Sequence, residues 1–276
     1  MIALTLPDIS AYLQEDIGPG DITAAIIPET VQAEAVVITR EAMVLCGRPW
    51  FDAVFKHLYA DVAILWLAHE GDVVSAGATL CNLSGSARAL LTGERTALNL
   101  LQTLSATATV AKQYADAVAG TGCKVLDTRK TIPGLRKAQK YAVACGGCYN
   151  HRIGLYDGVL IKENHIIAAG SIANAVSLAR QQSSIPVEVE VESLPEFQEA
   201  SAAKPDRIML DNFSLDDMRT AVAMNQHAIE LEASGNITLE NIRTIAETGV
   251  DYISIGALTK NIRAIDLSMR INLVTA

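Results

Sequence analysis

Over the first third of the chain, apolar and polar positions alternate in short runs separated by turn residues. AEAVVIT (33–39), MVLCG (43–47), VAILWLA (62–68) and GDVVSAGATLCNLSG (71–85) predict strands of a small sheet folded back on itself. A helical pattern from Ile9 to Glu15 precedes them, and a longer one, from about Ala87 to Val118, follows. From Cys123 the rhythm changes. Short apolar strands are spaced by amphipathic stretches: KVLDTRK, GVLIKEN, PVEVEVE, DRIMLDN, AIELEAS and DYISIGA alternate with helical segments such as SIANAVSLARQQ, LPEFQEASAA and TLENIRTIAETG. Repeated βα units of this kind predict a parallel sheet, and their number favours a barrel over an open doubly wound sheet. A final helix from about Arg263 is expected to return to the first domain. The expected division is residues 1–104, joined by 264–276, and a catalytic domain of 105–263.

Composition narrows the function. The 276 residues are 50% hydrophobic and carry a formal net charge of −9. That is enough apolar material for a sizeable core, and an acidic balance argues against nucleic acid as a partner. No apolar run reaches the ~18 residues needed to span a bilayer. The first residues lack the basic and apolar regions of a signal peptide, so a cytoplasmic protein is expected. The five cysteines are an odd number and fit that expectation. Cys145-Gly-Gly-Cys148 has no second pair at ligand spacing and reads as helix-end packing rather than a metal or redox site.

The chemistry lies where the strands stop. Arg129 and Lys130 follow KVLDT, Lys162 ends GVLIK, Glu190 belongs to EVEVE, and Asp211 ends DRIMLD. Ser234, Gly235 and Asn236 follow AIELEA, and Ser254, Ile255, Gly256 and Ala257 close the last unit. The carboxyl ends of barrel strands are where active sites form. Arg129, Lys130, His151 and Arg152 concentrate positive charge in an acidic chain, as a ligand with several carboxylates or phosphates requires. The two glycine-containing loops suit a phosphate held by backbone N–H groups, with a helix expected to begin near Thr238. Glu190 and Asp211, on successive strands, suit one Mg²⁺ or the hydroxyls of a ribose. Glu188, Glu190 and Glu192 share one face of their strand, and Glu190 is singled out as nearest its end.

Several motifs together resemble the quinolinate phosphoribosyltransferases. They are EDIGPGDIT (15–23), GERTALN (93–99), the long run from Asp127 to Ile166, EVEVE, LDNF, EASGNI and SIGALTK, in that order along almost the whole chain. The resemblance implies an N-terminal α+β open sandwich and a C-terminal incomplete α/β barrel. It implies quinolinate and phosphoribosyl pyrophosphate as substrates, Mg²⁺ as cofactor, and a homodimer or dimer-based hexamer with shared sites. Arg95 would be lent across the dimer interface. Thr128, Arg129, Lys130, His151, Arg152 and Lys162 would line the site, and Glu190 and Asp211 would face the ribose and the metal. Ser234 to Asn236 and Ser254 to Ala257 would hold the 5′-phosphate. Arg95, Lys130, Lys162, Glu190 and Asp211 are the expected catalytic set, with Lys162 and His151 as candidates for the proton donor that completes decarboxylation. Cys148 stands where relatives carry a small residue and Asn261 where many carry His, and neither removes charge from the site. A Schiff-base lyase using Lys162 would leave the arginines and Asp211 without roles.

Overall fold

The computed structural model describes residues 8–274, so residues 1–7 and 275–276 of the expected first domain lie outside the described residues. The chain forms two compact units. One holds residues up to Val110, Ala144–Gly146 and the segment from Ile262, and the other holds Ala111–Val143 and Gly147–Asn261.

The first unit runs α1 (Ser10–Ile17), β1 (Gln32–Thr39), β2 (Met43–Val44), α2 (Arg48–Leu58), β3 (Ala63–Trp66), β4 (Val73–Val74), β5 (Thr79–Ser86) and α3 (Ala87–Ala117), the last of which continues into the second unit. β5 lies between β1 and β3, antiparallel to both, and β2 pairs with β4. The sequence pattern predicts only strands and turns here, and α2 corrects it. Its buried face is Trp50, Phe51, Val54 and Phe55, at helical spacing. Its first amides are satisfied from a distance: the Glu70 carboxylate accepts from Gly47 N–H at 2.9 Å and from Arg48 N–H at 2.7 Å. Phe51 packs edge-on against Phe55 and Trp66, with ring centroids 5.0 and 5.2 Å away.

The second unit runs β6 (Lys124–Leu126), α4 (Arg136–Cys145), β7 (Val159–Ile161), α5 (Glu163–Ala169), α6 (Ile172–Gln182), β8 (Val187–Val191), α7 (Leu194–Ala203), β9 (Arg207–Asp211), α8 (Leu215–Asn225), β10 (Glu230–Ser234), α9 (Ile242–Ala246), β11 (Tyr252–Ser254) and α10 (Ala257–Lys260). The six strands are parallel, in the order β6-β11-β10-β9-β8-β7. β6 and β7 are the two edges, so the barrel is incomplete. The loops between those edges carry Arg129, Lys130, His151 and Arg152.

Alternation along these strands sorts apolar from polar. Val187, Val189 and Val191, Ile208 and Leu210, Leu231 and Ala233 are buried on one face. The opposite face carries Glu188 and Glu190, then Arg207, Met209 and Asp211, then Glu230, Glu232 and Ser234. The register aligns them in layers: Arg207 lies opposite both Glu188 and Glu230, Met209 opposite both Glu190 and Glu232, and Asp211 opposite Ser234. Most barrels fill this space with branched apolar side chains. Here it is largely ionic.

Two element boundaries differ from expectation. α9 begins at Ile242 rather than near Thr238, because the Asn241 side chain accepts from Thr238 N–H at 2.8 Å and makes a turn of the intervening residues. The helix expected from about Arg263 is a strand, β12 (Leu267–Leu273), antiparallel to β1 from Ala33↔Leu273 to Thr39↔Leu267. It covers the edge that β1 would otherwise expose, giving the sheet order β12-β1-β5-β3. No helix among the described residues is long and apolar enough to cross a membrane.

Candidate active site

The loop that crosses the open seam of the barrel is held by one buried ion pair. Asp127, just past β6, and Lys140, on α4, have fully buried side chains and pair directly. Lys140 Nζ also donates to the His151 carbonyl at 2.9 Å, His151 N–H donates to Asp127 Oδ1 at 2.9 Å, and Asn150 Nδ2 donates to Asp127 Oδ2 at 2.7 Å. Burial pushes the Asp127 carboxyl up and the Lys140 ammonium down, toward their neutral forms, against their mutual attraction. This pair fixes where His151 and Arg152 enter the barrel.

Above it opens a cavity of about 450 Å³ at the carboxyl ends of the strands. Four cations line it: Arg129, Lys130, Arg152 and Lys162. Thr128 begins the loop, its Oγ1 accepting from Lys130 N–H at 3.1 Å. The Lys130 carbonyl accepts from Thr259 Oγ1 at 2.8 Å. Arg152 Nη1 donates to the Gly158 carbonyl at 3.1 Å, and burial together with the neighbouring Arg129 charge lowers its pKa. Arg129 Nε is buried with no partner among the described residues. Two guanidiniums side by side, one with an unused donor, form a site built for an anion.

The acids come from the inward face of the strands. Glu190 pairs with Lys162, and Asp211 Oδ2 accepts from Asn212 Nδ2 at 2.7 Å. Glu188 instead turns to His151, whose Nε2 lies 2.9 Å from its Oε2, while Glu192 lies past the end of β8. Glu232, buried beneath the cavity, also lines it. Arg207 Nη1 donates to Glu232 at 3.1 Å and its Nη2 to Glu230 at 3.1 Å, while its guanidinium stacks 3.9 Å from the centroid of Tyr252. Burial, and then the Glu188 charge, push the Glu232 carboxyl up to about 7. Burial opposes charge on His151, but the Glu188 hydrogen bond and the two carboxylates outweigh it and raise its pKa.

The structure thus brings together Thr128, Arg129, Lys130, His151, Arg152, Lys162, Glu190, Asp211, Ser234 and Ser254 around one cavity. Gly235, Asn236, Ile255, Gly256 and Ala257 are not among its lining residues. Gly235 takes φ +97°, and a Cβ there would fall 2.2 Å from Asn212 Oδ1, so only glycine lets the β9 and β10 loops close on each other. Gly256 caps α10, and a Cβ on it would sit 3.1 Å from the Lys130 side chain. Arg95 lies on α3 in the first unit, its side chain 59% exposed, and does not line the cavity of this single chain. Cys148 donates to the Ala111 carbonyl at 3.1 Å, and Cys145, at the end of α4, stands near Cys46 and Glu70, so the two cysteines of the motif face different neighbours. Spacing along EVEVE puts Glu188 on the inward face with Glu190, and the same alternation along AIELEAS puts Glu232 there, though neither stands at a strand end. Asp127 and Lys140 likewise gave no signal beyond opposite charge.

The pattern of a quinolinate phosphoribosyl transferase C-terminal domain matches residues 107–270, and that of the N-terminal domain of the same enzymes matches residues 21–105. A solved structure of the nicotinate-nucleotide pyrophosphorylase from Francisella tularensis superposes with a TM-score of 0.94 at 48% identity, covering 97% of this chain and 98% of that one. A protein of Synechocystis named probable nicotinate-nucleotide pyrophosphorylase (carboxylating) is 44% identical over 270 residues, 96% of this chain and 92% of its own length. The enzyme of that name from Mycobacterium leprae is 40% identical over 271 residues, 95% of each chain.

Proposed function

This chain belongs to the quinolinate phosphoribosyltransferase family, and from that membership and the cavity's charge we infer how its own residues carry out the reaction. The enzyme transfers the phosphoribosyl group of phosphoribosyl pyrophosphate to quinolinate, with decarboxylation to nicotinate mononucleotide, in NAD biosynthesis. The observation that carries the residue assignments is that four cations and three acids line one strand-end cavity.

The two carboxylates of quinolinate meet Arg129, Arg152 and Lys130, with the His151 ring beside them held by Arg152 N–H and Glu188. Holding the ring nitrogen against C1 of the donor supplies much of the rate enhancement by positioning. The cations neutralise charge on the departing pyrophosphate, while Glu190 and Asp211 favour the electron-poor sugar that develops as the old bond breaks. Once the ring nitrogen is cationic, the adjacent carboxylate leaves as carbon dioxide, since the electron pair left behind is stabilised by that charge. Ser234 and Ser254 stand where the 5′-phosphate is expected, with the backbone of the Gly235 and Gly256 loops beside them.

Glu190 and Asp211 supply hard oxygen donors at the ends of adjacent strands and fit Mg²⁺, which takes one or two carboxylates together with substrate phosphates. Bound there, the ion would neutralise charge on the pyrophosphate. The exposed Arg95, on α3 of the first unit, serves the neighbouring subunit's cavity in a homodimer, or a hexamer of dimers, and the enzyme works in the cytoplasm.

The test is twofold. Purified enzyme given quinolinate and phosphoribosyl pyrophosphate should form the mononucleotide and carbon dioxide only with Mg²⁺ present. Arg95→Ala and Glu190→Ala should each be inactive alone and regain activity when mixed as heterodimers. Activity without a divalent cation removes the metal assignment, and mixtures as inactive as their parents remove the shared site.

A further inference from the structure

Loss of carbon dioxide leaves an electron pair on the ring carbon beside the cationic nitrogen, and that carbon must take up a proton. We propose that Glu232 is the acid that supplies this proton, and that water in the cavity at the opposite mouth of the barrel reloads it. The proposal rests on quinolinate being the substrate.

Glu232 lines the cavity, yet its side chain is wholly shielded from solvent. Its Oε2 is engaged by Arg207 at 3.1 Å and lies 3.7 Å from His151 Nε2, while its Oε1 has no partner. An orphaned carboxyl oxygen at a reaction cavity calls for an explanation, and a proton carried there gives one. The other protonated groups are committed. Lys162 is paired with Glu190. His151 accepts from Arg152 N–H at Nδ1, 2.8 Å away, and faces Glu188 through Nε2, so a donor proton on Nδ1 would have to break the first contact. Lys130, Arg129 and Arg152 are the cations that hold the anionic reactants, and giving up a proton would leave an anion unneutralised. Glu232 holds its proton up to about pH 7 because burial and the Glu188 charge disfavour a second carboxylate, while His151, Ser254 and Arg207 oppose that rise only in part.

Beneath lies a second cavity of about 210 Å³, lined by His151, Arg152, Glu188, Arg207 and Glu230 near the amino ends of β7 to β10. Glu188 faces this lower cavity and Glu232 the upper one, and the ligand atoms of His151, Glu188 and Glu232 all lie within 4.8 Å of one another. Glu188 Oε1 is also buried without a partner. Water in the lower cavity is therefore one side chain away from Glu232 and supplies the replacement proton. The step balances without oxidation. The carbon–carboxylate bond breaks, its electrons stay on the ring carbon, the Glu232 O–H bond gives that carbon its proton, and the resulting carboxylate recovers one from that water.

The experiment follows pyrophosphate and carbon dioxide separately in a single turnover with carboxyl-labelled quinolinate. Carbon dioxide can rejoin the ring carbon until that carbon is protonated, so with Glu232→Gln its release should slow about 100-fold or more and the dicarboxylate mononucleotide accumulate, while pyrophosphate release stays within about tenfold of wild type. Glu232→Asp should recover part of the loss. Wild-type enzyme gives a second reading that needs no variant: from about pH 5 to about pH 9 the carbon dioxide step should fall as pH rises through the titration of Glu232, with the pyrophosphate step unchanged. Besides Glu188 on β8, the groups facing Glu232 are Arg207 on β9, His151 in the loop before β7, and Ser254 and Tyr252 on β11, and none but His151 titrates near that window in the free side chain. His151→Asn in the same scan separates the two. Carbon dioxide keeping pace with pyrophosphate in Glu232→Gln, or at every pH in wild type, overturns the proposal. Wild-type enzyme that releases no pyrophosphate from quinolinate overturns the substrate assignment instead.

Discussion

The two units of this chain bury opposite kinds of matter. The first encloses Phe51, Phe55, Leu80 and Leu83 around a helix and an antiparallel sheet. The second covers its strands with apolar residues on one face and shields ions on the other: Asp127, Lys140, Glu188 and Glu232 are all buried. Apolar burial contributes stability through the area removed from water. Buried charge contributes little and is costly when half of a pair is lost. The first unit therefore reads as built for stability, and the barrel interior gives up stability for groups that can grip anions and move protons.

The sharpest break of this comparison sets Lys140→Met against Phe55→Ala. Each should lower unfolding free energy by roughly 3–5 kcal/mol, the first by stranding Asp127 and the second by opening a cavity. Urea titration measures both losses. Their effects on catalysis should part. Lys140 also holds the His151 carbonyl, so Lys140→Met should reduce kcat/KM by about tenfold or more, while Phe55→Ala leaves the folded enzyme near wild type. Equal activity in the two variants would show that the buried pair is only scaffolding.

A smaller effect is expected from pH. Glu232 ionises near the ordinary carboxyl value of 4.5 in the unfolded chain and at about 7 in the folded one. Between those values the folded state keeps a proton that the unfolded state has lost, so stability falls as pH rises across the window. Glu232→Gln removes this dependence. The difference in melting temperature between wild type and Glu232→Gln should move in the variant's favour from about pH 5 to about pH 7. A difference that stays constant would place the carboxyl at an ordinary value.

The same contrast decides what the sequence could disclose. The barrel is made of local rules: Val187, Val189 and Val191 alternate with Glu188 and Glu190 within one strand, so its fold and its strand-end residues were legible. α2 and β12 follow no such rule. Gly47, the residue just before α2, has no capping side chain, and the helix is capped by Glu70 beyond the following strand. β12 is a strand because β1 presents an open edge more than 220 residues earlier in the chain. Arg95 stays outside the cavity of this chain, so the part proposed for it rests on a second subunit. Replacing Glu70 by Ala tests the distant cap. It should lower stability by about 2 kcal/mol, since a carboxylate serving two amides at a helix start is worth more than a neutral cap. A loss below about 0.5 kcal/mol would mean that α2 is held by its apolar face alone.

The local caps of the barrel complete the comparison. Ser171, Ser193 and Ser214 stand at the starts of α6, α7 and α8, and each side chain accepts the amide hydrogen of the third residue onward, from Asn174, Glu196 and Asp217. α7 carries a second local device, the Glu196 side chain accepting from Glu192 N–H at 2.8 Å. Ser193→Ala removes one acceptor and leaves Glu196 N–H to find water, which is close at hand because both residues are near the surface. The loss should be about 1 kcal/mol, half that of the Glu70 variant, with kcat/KM unchanged because α7 brings no side chain to the cavity. A urea titration of Ser171→Ala should give a matching value, since its extended backbone and single acceptor repeat those of Ser193, while Ser214→Ala should lose somewhat more because Ser214 Oγ also donates to Asp217 Oδ2 at 2.7 Å. A loss at Ser193 as large as at Glu70 would erase the distinction between a helix started by its own neighbours and one started by a distant residue.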